Sequence, residues 1–109
     1  ESEVTMQTSD AQLARWIRTG LTLPNLVEVN NSFGEQIDSS FYGCALFCCL
    51  AGKEGNAALA FKRNCLDEEN FAAELSIDPN LADDISYMHC AGLTAAKIAD
   101  RLENKEPPL

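Results

Sequence analysis

The stretch Ser39-Ser-Phe-Tyr-Gly-Cys-Ala-Leu-Phe-Cys-Cys-Leu-Ala51 decides the fold class. Its apolar residues cover every face of a helical wheel, and a helix that is apolar all round must be buried all round. The reading is a central helix over 39–51, capped by Ser39 or Ser40 and ended by Gly52. Gly43, Ala45 and Ala51 would let other helices come close. Phe41 to Ala51 is the longest apolar run, and it falls short of the roughly 18 residues that a membrane span needs.

Downstream, each segment begins on a capping residue. Asn56 caps a short helix that carries Lys62 and Arg63 in its last turn, where cations complement the helix dipole. Asp67 opens the next helix, with Leu66 and Phe71 placed as a hydrophobic staple and Phe71 and Leu75 as an i, i+4 pair. Asp78-Pro79 reads as an N-cap followed by proline at the first helical position. Leu81, Ile85 and Met88 form one face of that helix, and Gly92 ends it. Thr94 caps a last helix stapled by Leu93 and Ile98, and Glu106-Pro107-Pro108 stops it.

Upstream, Ser9-Asp-Ala-Gln12 has capping-box spacing. Leu13, Trp16, Ile17 and Leu21 then recur on one helical face, with Trp16 as a core anchor and Gly20 as the helix end. Residues 22–38 hold Pro24, Leu26, Val27, Val29 and the turn-forming Asn30-Asn31-Ser32 and Gly34. A lone hairpin is marginal in water, so helix or loop is the expectation there. The expected architecture is all-α, a compact bundle of five or six short helices around a buried central one. Residues 9–105 form the single helical domain, 1–8 a flexible N-terminus and 106–109 a tail.

The 109 residues suit one domain, and 17 acidic against 8 basic side chains give a net charge of −9. No Lys or Arg occurs between Arg63 and Lys97, while Asp67, Glu68, Glu69, Glu74, Asp78, Asp83 and Asp84 all do. Such a surface repels phosphate and attracts a basic protein partner, so nucleic acid is disfavoured as a partner, and the short apolar runs argue against a membrane. The chain starts at Glu1 with no basic-then-apolar leader pattern, and a segment removed upstream is compatible with that start. Five cysteines (Cys44, Cys48, Cys49, Cys65 and Cys90) cannot all pair within one chain, and three lie in the most apolar segment. They read as reduced thiols of a cytoplasmic protein.

Four constellations carry possible chemistry. Gly92-Leu93-Thr94 joins two helices tightly, as in a helix-turn-helix. Met88 and Arg101 depart from that pattern, and the reading face would be Ala95, Ala96, Lys97 and Asp100. Cys44, Cys48, Cys65, His89 and Cys90 could contribute to a metal site, but no Cys-x₂-Cys knuckle is present. Cys48 or Cys90 could pair with His89 as a nucleophile. The central helix is the reverse of the electropositive, partly exposed setting that this needs. The acid pairs Glu68-Glu69 and Asp83-Asp84 fall near helix starts, where the dipole accounts for them. No catalytic, cofactor-binding or metal-ligating residue is assigned, and no cofactor is implied.

Tyr42-Gly-Cys-Ala-Leu46 with Leu50-Ala-Gly-Lys53, followed by Gly92-Leu-Thr and Lys97-Ile-Ala-Asp-Arg-Leu102, resembles small uncharacterised bacterial and phage-associated helical proteins. Phe47 stands where glycine or alanine is expected. The resemblance implies a helical fold and adds no site. The expected function is a non-enzymatic interaction or accessory protein that self-associates as a homodimer. The alternatives are a helix-turn-helix-like DNA-binding or DNA-mimicking regulator, and a small cysteine- or metal-dependent enzyme.

Overall fold

The computed structural model describes residues 7–30 and 32–104. The expected flexible segment 1–8 falls largely outside the described residues. So do the stop at Glu106-Pro107-Pro108 and the tail 106–109.

The local helix signals form as the caps dictate. Helix α1 (Asp10–Leu21) starts with the Ser9 side chain accepting from the Gln12 N–H. Asn56 and Asp67 do the same for α3 (Ala57–Lys62) and α4 (Glu68–Leu75), accepting from Leu59 and Asn70. Asp78 caps α5 (Pro79–Cys90). Thr94 accepts from the Lys97 N–H at the head of α6 (Ala95–Asn104). Leu66 is 68% exposed, so the expected staple with Phe71 is not a buried pair. Phe71 packs instead against Phe33, with ring centroids 5.6 Å apart.

The fold is not all-α. Three short strands, β1 (Leu26–Glu28), β2 (Glu35–Ile37) and β3 (Ser40–Gly43), make a mixed sheet in the order β1-β3-β2. β1 runs parallel to β3, with Leu26 opposite Phe41 and Glu28 opposite Gly43. β2 runs antiparallel to β3 through a two-residue turn at Asp38-Ser39, in which Asp38 adopts φ 56°. Two expectations fall together here. Residues 22–38 are not helix or plain loop, and Ser39 and Ser40 do not cap the central helix. The physical reason is that a short apolar run reads equally as a buried strand or a buried helix segment. Along β3, Phe41 and Gly43 turn inward while Ser40 and Tyr42 are half-buried, a period of two.

The central helix α2 (Ala45–Glu54) is therefore displaced towards the C-terminus. Cys44 is its N-cap residue and Gly55, at φ 75°, its C-cap. Every residue from Ala45 to Gly52 is buried, as a helix apolar on all faces requires. Gly20 and Gly52 are contact residues rather than helix ends. A Cβ on Gly20 would lie 1.9 Å from the Cys48 carbonyl oxygen, and one on Gly52 would lie 1.8 Å from that of Trp16. α1 thus presses on α2 backbone to backbone. Trp16 is only half-buried, with the Lys53 ammonium 5.8 Å from its ring centre. One continuous core joins α1, α2, α4, α5 and α6 to β3.

Candidate functional site

Among the described residues, His89 is the one buried polar side chain, at 1% exposure. It lies in the last turn of α5, and the core packing of Ile85 and Met88 carries it inward. Its Nε2 is 2.7 Å from Oε2 of Glu28, the last residue of β1. The same oxygen accepts the Ala95 N–H at 2.7 Å, at the head of α6. One carboxylate thus ties β1, α5 and α6 together and places its negative charge at a helix N-terminus, where the dipole favours it. Facing a carboxylate, which only accepts, Nε2 is the donor of that contact. The ring's Nδ1 is buried and has no hydrogen-bond partner.

His89 lines a cavity of about 220 Å³ together with Ser32, Phe33, Cys44, Glu68 and Ser86. The β1–β2 loop, the head of α2, α4 and α5 supply these walls. The Ser86 hydroxyl donates to Glu68 at 3.1 Å. Cys44 is 4% exposed, and its backbone N–H donates to the Ser32 carbonyl at 2.8 Å. Burial pushes the Cys44 thiol up, while the amides of Phe47 and Leu46, at the start of α2, pull it down by less. The net result is a thiol that stays protonated at neutral pH.

The other thiols follow the same physics. Cys48 approaches the Gly43 carbonyl and is pushed up to about 12 by burial. Cys49 approaches the Leu13 carbonyl at 3.7 Å and is also pushed up. Burial likewise raises Cys65, to about 11. All five thiols are free, and Cys90 is the exposed one.

The sequence candidates are partly brought together. Cys48 lies in the core and does not line the cavity, so it is not placed with His89 there. Cys90 borders the cavity beside His89. No group of three potential ligands close enough to hold a metal ion occurs among the described residues. Of the would-be reading face on α6, Ala95 is buried while Ala96, Lys97 and Asp100 are exposed, and the helix packs inward through Ile98, Ala99 and Leu102. Its Asp100 and Glu103 bind Arg18 of α1 at 2.6 and 2.9 Å. Glu28 occupies the Ala95 N–H, where a phosphate would be received. Glu68 and Glu69 do open α4, but Asp83 and Asp84 sit in the middle of α5.

Sequence reasoning missed Glu28 and, as neighbours of His89, Glu68 and Ser86, while it grouped Cys44 with His89 only as a possible metal ligand. Glu28 stands 61 positions from His89, so no local pattern connects them. No family profile, curated protein or solved structure matches the chain. The site's meaning therefore rests on its geometry.

Proposed function

We propose that this chain is a non-enzymatic accessory protein that works by binding, with the cavity at His89 as its ligand site. The carrying observation is a cavity of mixed polar and apolar lining beside the buried His89; its one buried thiol, Cys44, is held protonated. A binding site needs convergent polar groups in an apolar pocket. A thiol nucleophile needs a depressed pKa or a bonded base, and Cys44 has neither.

A second reading is favoured by one specific arrangement. Cys44 heads α2 and shares the cavity with His89, whose other nitrogen is oriented by Glu28. That is the order of parts in a nucleophile, base and orienting acid. Alkylation with iodoacetamide, mapped by peptide mass spectrometry, separates the two. On the binding reading, Cys90 is modified and Cys44 stays unmodified in the folded chain. Modification of Cys44 faster than Cys90 would replace binding by thiol chemistry.

No described helix is long and apolar enough to cross a membrane. The reading places the protein in a reducing, cytoplasmic setting, which the five free thiols support. Its partners would be a second copy of itself and a basic protein drawn by the net charge of −9. The apolar surplus behind the homodimer is smaller than the sequence suggests. Phe71 and Leu75 are fully buried, and Leu26, Phe33 and Phe61 pack on the core. Val27, Ile37, Leu59, Leu66 and Tyr87 stay exposed and supply what support remains. The likeness to bacterial and phage-associated helical proteins fits an accessory role.

A further inference from the structure

We propose that the outward face of α5, built on Asp83, Asp84 and Tyr87, docks an arginine-bearing segment of a basic protein partner. The inference rests on the reading of a basic partner given above and places that partner on the fold.

Three observations lead there. First, the fold gives no account of the two acids. Asp83 and Asp84 lie in the middle of α5, past the first turn in which the dipole would favour them. Aspartate is a poor helix former there, and adjacent like charges repel. Among the described residues, Arg18 is paired with Asp100 and Glu103, and Arg63 with Glu54 and Glu74. Neither the Asp83 nor the Asp84 side chain has a hydrogen-bond or ion-pair partner among them.

Second, an aromatic ring stands beside these acids. Tyr87 follows Asp83 by four positions and Asp84 by three, so the three side chains share one helical face. Ala82, Ile85 and Met88 bury the other side of the helix and hold this face outward. Tyr87 is 57% exposed, and its ring packs against no other ring among the described residues. An exposed tyrosine is the kind of side chain that anchors protein interfaces.

Third, charge selects the occupant. No Lys or Arg occurs between Arg63 and Lys97. Ser86, next to Tyr87, donates to Glu68 at 3.1 Å. The acidic face thereby continues onto the start of α4, where Glu69 is exposed. A phosphate-bearing or acidic partner would be repelled there. A guanidinium meets both features at once, because its plane stacks on an aromatic ring and its fork of donors fits a carboxylate. Lysine would supply only a point charge.

The test uses the full chain and a fluorescein-labelled peptide of arginine and alanine, with a glutamate–alanine peptide as its acidic counterpart. Fluorescence anisotropy follows binding at about 0.1 M salt. The arginine peptide should saturate the chain and the glutamate peptide should not. Asp83→Asn with Asp84→Asn should weaken binding about tenfold, and so should Tyr87→Ala. These side chains bond to nothing within the described fold, and circular dichroism checks that the variants stay folded. Glu35→Gln with Asp38→Asn removes the same charge from β2 and its turn, and should weaken binding by less than about twofold. Equal losses from the two charge pairs would reduce the effect to net charge, and full affinity in Tyr87→Ala would leave the ring idle. Either result overturns the docking face while the basic partner stands. No binding up to about 1 mM peptide removes the basic partner as well. A parent dimer that Tyr87→Ala dissociates in sedimentation equilibrium would overturn the assignment by giving the face to a second copy.

Discussion

Replacing Gly52 by alanine should destabilise the protein, although the same change in an exposed helix interior would stabilise it. Alanine is favoured over glycine within a helix by about 1 kcal/mol. Against that stands the backbone of α1. The new Cβ would fall 1.8 Å from the Trp16 carbonyl oxygen and 2.6 Å from its carbon, where real Cβ contacts essentially never come below 3.0 Å. Both sides of the clash are helix backbone, so no rotamer change relieves it. α1 must lift by more than an ångström. A gap of about 0.5–1 Å forfeits a quarter to a half of each van der Waals well it opens. Leu13, Ala14 and Ile17 are fully buried on α1, and Cys48, Cys49 and Leu50 on α2. Losing part of those contacts costs about 2 kcal/mol, and residual overpacking strain adds about 1–3 kcal/mol. After the propensity gain, the net loss is about 3 kcal/mol. Urea denaturation followed by circular dichroism measures it. Gly55→Ala is the control: it meets no neighbouring atom but sits at φ 75°, and should cost only about 1–2 kcal/mol. A Gly52→Ala protein within about 0.5 kcal/mol of the parent would show that α1 and α2 do not touch backbone to backbone.

Two further outcomes follow from the same structure. The Cys48 thiol is raised from an ordinary 9.0 to about 12, so the folded chain holds that proton more tightly than the unfolded one. Its contribution is complete below about pH 9 and is lost as pH climbs towards 12, at about 1.4 kcal/mol per pH unit. Cys49 and Cys65 are raised and act in the same direction. The urea midpoint should therefore fall between about pH 8 and about pH 10.5, and a flat midpoint would contradict thiol burial. For self-association, sedimentation equilibrium at micromolar concentration should give twice the chain mass of 11.9 kDa. A single species at the chain mass as concentration rises would remove the dimer.

The helices were legible because their signals are local. Ser9, Asn56, Asp67, Asp78 and Thr94 each bond a backbone N–H two or three residues ahead, so the cap and its partner lie within one turn of sequence. Burial of Ala45–Gly52 was legible for a related reason: a segment apolar on every face cannot be satisfied by water on any of them. What the chain does not announce locally is its sheet. β1 and β3 pair across some fifteen positions, in strands of three and four residues too short to show a clear period. Their stability comes from packing on the helices rather than from the strands themselves. That packing turned Phe41-Tyr-Gly43 from the expected first turn of a helix into the middle strand of a sheet, and it made Cys44 a cap facing a cavity. The site was still less legible. Glu28 looks like a solvated acid and His89 like a helix-end histidine until the fold sets them 2.7 Å apart. Sequence alone determined the helices, the buried segment and the acidic surface, because each depends on neighbours along the chain. Tertiary structure alone decided the strand pairing, the backbone contact of α1 with α2 and the Glu28–His89–Ala95 junction. Each of those is a bond or contact between residues that only become neighbours once the core has closed.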